Sequence, residues 1–128
     1  MARVLVVDDD PVIRELLVVN LEIEGHETVT AQDGAEALEA VAARPPDLLL
    51  LDVMMPTLSG WQVAERLKSD PATAAIPIVL LTARAMEADV RKGSSLGVER
   101  YVTKPFDPMD LMDVCSELLA AREGQEGL

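Results

Sequence analysis

Leu48-Leu49-Leu50-Leu51-Asp52 is a run of four leucines, without alternation, that ends on a carboxylate. A short continuous apolar run of this kind reads as a strand buried on both faces, the setting of a central strand in a parallel sheet. Three further stretches share the plan. Val4 to Val7 ends on Asp8 and Asp9, Ile78 to Leu81 ends on Thr82, and Tyr101-Val102-Thr103 ends on Lys104. In an open parallel sheet the carboxyl ends of the strands face a crevice where ligands bind. The four exits therefore gather three carboxylates, a hydroxyl and an ammonium on one rim.

Between these runs the apolar spacing changes to three and four, the alternation of strands and helices that builds a parallel sheet. Asp10 and Pro11 are a helix N-cap and first-turn residue. Val12, Ile13, Leu16, Leu17 and Leu21 give the first helix an apolar stripe, which stops at Gly25. Glu27 to Ala31 alternates polar and apolar residues, as an edge strand does, and Asp33 with Glu36 opens a second helix over Ala35 to Ala43 that Pro45 and Pro46 end. Ser59 with Gln62 opens the third, Gly60 to Lys68, and the prolines at 71 and 77 mark a surface connection into the strand at Ile78. A fourth helix is expected over about Met86 to Leu96, loosened by Gly93, Ser94 and Ser95. A strand near Val98 to Thr103 follows. Asp107-Pro108 then starts a fifth helix with Leu111, Met112, Val114, Cys115, Leu118 and Leu119 toward the core. The fold expected is a doubly wound α/β layer: a five-stranded parallel sheet, with five helices on both faces. For five units the common strand order is 2-1-3-4-5, the flavodoxin-like order, whose switch point lies between the strands ending in Asp8-Asp9 and in Asp52.

The 128 residues, 49% of them hydrophobic, suit one compact domain, expected over residues 1–121, with a polar, glycine-bearing tail at 122–128 expected to fray. No stretch approaches the apolar length of a membrane span, and the start of the sequence lacks a long apolar leader, so a soluble, cytoplasmic protein is expected. The lone Cys115 excludes an internal disulfide and a cysteine-rich zinc site. A net charge of -12 repels phosphate backbones and anionic lipid, which argues against direct binding of nucleic acid or membrane.

Three carboxylates crowded in one cleft would take up protons unless positive charge sits among them. Lys104 supplies one such charge, and a hard dication with oxygen ligands balances the remainder. Mg²⁺ suits a shallow rim with few carboxylates. The rim loops offer neither histidine nor thiol, and the topology puts His26 at the other end of the sheet, so zinc or copper lacks ligands. A carboxylate beside a cation, a lysine and a hydroxyl is also what in-line phosphoryl transfer to an aspartate requires. Asp52, alone at the end of the most buried strand, is the natural nucleophile. The adjacent Asp8 and Asp9 look like metal holders.

Val4-Leu5-Val6-Val7-Asp8-Asp9-Asp10, Leu51-Asp52-Val53-Met54-Met55-Pro56 with Gly60, Leu81-Thr82-Ala83, and Lys104-Pro105-Phe106 stand in the order and at the spacing of one family. From about Ala2 to Ala121 the chain resembles a response regulator receiver domain of bacterial two-component signalling. The resemblance implies that Asp52 accepts a phosphoryl group from a histidine kinase or phosphotransfer protein. It implies that Asp9, Asp52 and the Met54 carbonyl bind Mg²⁺, with Asp8 acting mostly through a water. It gives Thr82 and Lys104 to the phosphoryl oxygens and makes the Lys104-Pro105 bond cis. Thr82 and Tyr101 would form a switch that changes the surface of the fourth helix, fifth strand and fifth helix, read by an output protein or effector domain. The domain would act as a monomer or a phosphorylation-dependent dimer, and as a phosphoacceptor rather than an enzyme. Asp10 carries no role beyond capping. Met54 and Arg84, two residues beyond Asp52 and Thr82, occupy positions that tune the lifetime of the phosphoryl group, and Val98 stands where the family has alanine.

Other classes leave distinguishable marks. An aspartyl-phosphate phosphatase or mutase needs a second acid two residues after its nucleophile, where this chain has Met54. A flavin or nucleotide site wants a Gly, Ser or Thr loop after the first strand, where Asp8-Asp9-Asp10-Pro11 repels phosphate. A degenerate receiver acting as a fixed scaffold would lack some of the five signature residues, and all five are here.

Overall fold

A computed structural model describes residues 2–83 and 97–126. Its elements run β1 (Arg3–Val7), α1 (Pro11–Ile23), β2 (Glu27–Ala31), α2 (Gly34–Ala43), β3 (Leu48–Asp52), α3 (Gly60–Ser69), β4 (Ile78–Thr82), β5 (Arg100–Thr103) and α4 (Pro108–Glu126). The five strands form one parallel sheet in the order β2-β1-β3-β4-β5. This is the expected doubly wound order. The fourth helix expected from sequence, Met86 to Leu96, and Arg84 lie outside the described residues, so α4 is the helix that the sequence counts as fifth.

Period-two alternation sorts the strands' side chains onto two cores. Leu5, Val7, Leu49, Leu51 and Leu80 pack against α2 and α3, while Val4, Val6, Leu48, Leu50 and Leu81 pack against α1 and α4. All five residues of β3 are buried, which explains why its sequence shows no alternation. The caps form as their residue types dictate. Asp10 accepts the Val12 N–H at 2.9 Å, Asp33 accepts the Glu36 N–H at 2.9 Å, and Ser59 with Gln62 completes a reciprocal capping box.

Two expectations need correction. Only part of the apolar stripe assigned to α1 reaches the core: Leu17 and Leu21 are fully buried and Ile13 packs beside them, but Val12 is 73% and Leu16 38% exposed. At about 100° per residue, Val12, Leu16, Val19 and Ile23 all fall roughly 100–160° around the helix from Leu17. They form a second apolar ridge, turned to solvent, which spacing alone merges with the first. The segment expected to fray from Arg122 is instead helical through Glu126, and Arg122 Nε lies 4.0 Å from Asp47 Oδ1 at the base of β3. A single glycine such as Gly124 costs about 1 kcal/mol, too little to end a helix already propagated over four packed turns.

The loop from β3 to α3 is tightly built. Leu58 N–H donates to the Pro56 carbonyl at 2.8 Å across Thr57, whose φ of 69° is a strained conformation for a β-branched residue. Gly60 N–H then donates to the Val53 carbonyl at 3.0 Å, so the start of α3 lies directly on the chain leaving Asp52. A Cβ at Gly60 would overlap the Asp52 carbonyl oxygen and come within 2.8 Å of Val53 Cα, both backbone atoms with no rotamer to yield. Gly60→Ala is expected to lower stability by about 2 kcal/mol, in the range for a forced backbone shift. Denaturant unfolding with an unchanged slope reads it.

Candidate functional site

The rim that sequence assembles on paper is assembled in space. β1 and β3 are neighbours, pairing Val7 with Leu51, so the residues that follow them, Asp8 and Asp52, leave the sheet side by side. Asp8 is 0%, Asp52 4% and Thr82 6% exposed, the buried polar and charged residues among those described. Asp9, one residue further along the turn, faces solvent. The three carboxylates each offer an oxygen, and those oxygens lie within 4.8 Å of one another.

Lys104 sits between the two buried acids. Its Nζ donates to Asp8 Oδ2 at 3.0 Å and to Asp52 Oδ1 at 3.2 Å. The backbone holds it there, because Lys104 N–H donates to the Thr82 carbonyl at 2.6 Å, one step beyond the pairing of Thr82 with Thr103. Thr82 and Lys104 are thereby tied to each other across the strand ends. The Lys104-Pro105 peptide is cis. Asp8 has both carboxylate oxygens engaged, since its Oδ1 accepts the Asp10 N–H at 2.9 Å. Asp52 Oδ1 has a further, longer donor in Met54 N–H at 3.4 Å.

Burial of Asp52 and the negative charge of Asp8 push the Asp52 carboxyl up to about 6, against the partial relief given by Lys104 and the Met54 N–H. Burial alone would lower Lys104, but its hydrogen bond to Asp8 and the charges of Asp52 and Asp8 outweigh that and raise it. The lysine is thus a fixed positive charge, and the nucleophile candidate is underneutralised. The donor set is all oxygen and short of positive charge, which fits a hard divalent cation. His26 accepts the Ala2 N–H at 3.3 Å at the opposite end of the sheet, and buried Cys115 has its thiol pushed up to about 12. Neither supplies a ligand at the rim.

Tyr101 is half-buried on β5 and packs on the α2–α3 core. Met54 is 70% exposed, open to whatever approaches Asp52. One contributor escapes a reading of the sequence. Arg14, one turn into α1, donates through Nη1 to the Asp8 carbonyl at 2.7 Å and braces the turn that carries the acid pair. Its spacing from Asp10 is that of any first-turn residue, so no pattern marks it.

The chain belongs to the response regulator receiver domain family, which matches residues 4–116. Among curated relatives it is similar to the phosphate regulon transcriptional regulatory protein PhoB of Pseudomonas aeruginosa, 43% identical over 109 residues that make up 85% of this chain and 48% of PhoB. It is also similar to the protein PilH of the same organism, 36% identical over 94% of this chain and 99% of PilH. The chain spans about half the length of PhoB and of the DNA-binding response regulator MtrA of Mycolicibacterium smegmatis. Of solved structures, the chemotaxis protein CheY4 of Vibrio cholerae aligns with a TM-score of 0.87 at 30% identity, covering 92% of this chain and 98% of the other.

The burial of Asp52 beside Asp8 predicts a pH signature. A carboxyl whose folded-state value is raised from 3.8 to about 6 favours the protonated native state. Its stabilising contribution is fully present below about pH 3.8 and is lost as pH rises through about 6. Asp52→Asn removes the titration. In chelator, the melting temperature of the variant minus that of the native sequence should therefore grow between pH 4 and pH 6 and level off above 7. A difference that is flat across this range contradicts the raised carboxyl.

Proposed function

We propose that Asp52 receives a phosphoryl group from a phosphohistidine on a histidine kinase or phosphotransfer protein, and that this covalent charge switches the domain's affinity for an output partner. The observation that carries the reading is the convergence on one buried aspartate, at the end of the central strand, of a lysine that contacts it, an acid pair and a strand-end threonine. Asp52 Oδ attacks phosphorus in line, the P–O bond forms as the P–N bond to the donor imidazole breaks, and the departing nitrogen keeps the electron pair and takes up a proton. Lys104 is already within hydrogen-bond reach of Asp52 and transfers its contact to a phosphoryl oxygen, while the Thr82 hydroxyl donates to another.

Mg²⁺, held by Asp9, Asp52 and the Met54 carbonyl with Asp8 acting through water, would supply the positive charge that lets an anionic donor approach three carboxylates. The full hydrogen bonding of Asp8 supports its assignment to the outer position. Thr82 and Tyr101 form the switch: the threonine is drawn toward the phosphoryl group and the half-buried ring fills the space it leaves. The domain is a phosphoacceptor that assists its own phosphorylation and dephosphorylation rather than an enzyme with an external product. Met54, where a phosphatase would carry its second acid, supports that choice. The net charge of -12 supports an output through protein rather than through nucleic acid or membrane contact by this domain, in the cytoplasm. Among the described residues no helix is long and apolar enough to cross a membrane.

The outward ridge of α1 supports a protein donor. Val12 and Ile23 are 73% and 77% exposed at its two ends, and Val12 lies two residues from the Asp10 cap, beside the acid pair. Incubation with a small acyl phosphate and Mg²⁺ is expected to add one phosphoryl group to the native sequence and none to Asp52→Asn, read by intact mass. Equal uptake by the variant would overturn the assignment. With a phosphohistidine protein as donor, Val19→Lys should slow transfer at least about tenfold, as expected for a charge buried in an interface core, and leave the acyl phosphate reaction unchanged.

A further inference from the structure

At the end of the sheet away from the rim, Lys68 in the last turn of α3 is 90% removed from solvent, and its three ammonium protons each have an acceptor. Nζ donates to the Ala74 carbonyl at 3.0 Å, to the Ile76 carbonyl at 2.8 Å and to Glu99 Oε2 at 3.0 Å. The other oxygen of the same carboxylate, Oε1, accepts the N–H of Ile78, the first residue of β4, at 2.8 Å. Glu99 immediately precedes β5. Its side chain thus takes a β4 donor that a longer β5 would have met with backbone, which is why the strand begins at Arg100 rather than near Val98.

We infer that Lys68 and Glu99 form a register pin for β5 and act as positioning residues for phosphoryl transfer through Lys104. This rests on the role given to Lys104 above. β5 has four residues, two of them exposed, and its inward pair splits between the cores: Tyr101 packs on the α2–α3 side and Val102 on the α1–α4 side. Two half-buried residues specify register weakly, and a one-residue slip would exchange their faces. The same slip carries Lys104 about 3.3 Å along the strand. That displacement matches its whole contact distance to Asp8 and Asp52, 3.0 and 3.2 Å, and breaks both. The pin holds the chain at Glu99, five residues before Lys104. It also anchors the far end of α3, whose near end rests on the chain leaving Asp52. One helix therefore gauges the separation of the nucleophile from its lysine.

A residue that acts through Lys104 has a readable signature. Lys104 competes with a dication for the Asp8 and Asp52 carboxylates, so its displacement should tighten Mg²⁺ binding while slowing phosphorylation. Glu99→Ala in the full chain is expected to bind Mg²⁺ about three- to tenfold more tightly by calorimetry, the size of one partly solvated charge pair. Per folded molecule it should react with acyl phosphate about tenfold more slowly or worse. Glu99→Gln keeps an acceptor for Ile78 N–H and should recover most of both values. In a Lys104→Met background, Glu99→Ala should change Mg²⁺ affinity no further. Lys68→Met serves as the second way to release the pin if Glu99→Ala does not fold. A lower melting temperature with native Mg²⁺ affinity and native rate would overturn the proposal, as would equal tightening in both backgrounds. If the native sequence took up no phosphoryl group, the parent reading would fail, while the affinity cycle would still test the pin.

Discussion

The Lys104 ammonium, 3.0 Å from Asp8 and 3.2 Å from Asp52, is the contact that lets two buried carboxylates share the end of a parallel sheet. Breaking a buried pair strands an uncompensated charge and is costly, so the surrounding chain is organised to keep the lysine in place. β5 ends beside β4, the Thr82 carbonyl takes the Lys104 N–H, and α4 begins four residues later. One ammonium nonetheless cannot neutralise Asp8, Asp9 and Asp52 together. Burial and the neighbouring charge of Asp8 raise Asp52 toward neutrality, and the shortage of positive charge favours a cation.

Most of this was legible in the chain because period and burial coincide there. Four leucines without alternation mean two buried faces, and β3 has both. Each strand's last apolar residue precedes a polar one because the strand leaves the core at that point, so Asp8, Asp52, Thr82 and Lys104 could be placed on one rim before any coordinate. Strand order then followed from handedness and unit count. The capping residues Asp10, Asp33 and Ser59 located three helix starts to within a residue.

What escaped the sequence was information carried by angle, by distance in the fold, or by backbone conformation. Val12 and Leu16 read as core because a helix of mixed apolar spacing can carry two ridges, and only the packed structure shows which ridge the sheet takes. The extension of α4 through Glu126 is hidden because polar composition resembles a frayed tail whether or not the helix is already propagating. Arg14 braces Asp8 through a backbone carbonyl, a contact that no residue pattern announces. Lys68 and Glu99 are 31 positions apart and individually look like surface charges. Thr57 takes a left-handed φ in a loop with no glycine at that position, so its strain is invisible in residue type.

The central claim, that burial and the charge of Asp8, relieved in part by Lys104, raise the Asp52 carboxyl, is tested most directly by carbon-detected NMR titration of the aspartate carboxyl groups. In chelator the account predicts one carboxyl with a midpoint near 6, absent from Asp52→Asn, that falls by more than one pH unit when Mg²⁺ is added. A midpoint for Asp52 near 3.8 in chelator, unmoved by Mg²⁺, would contradict it.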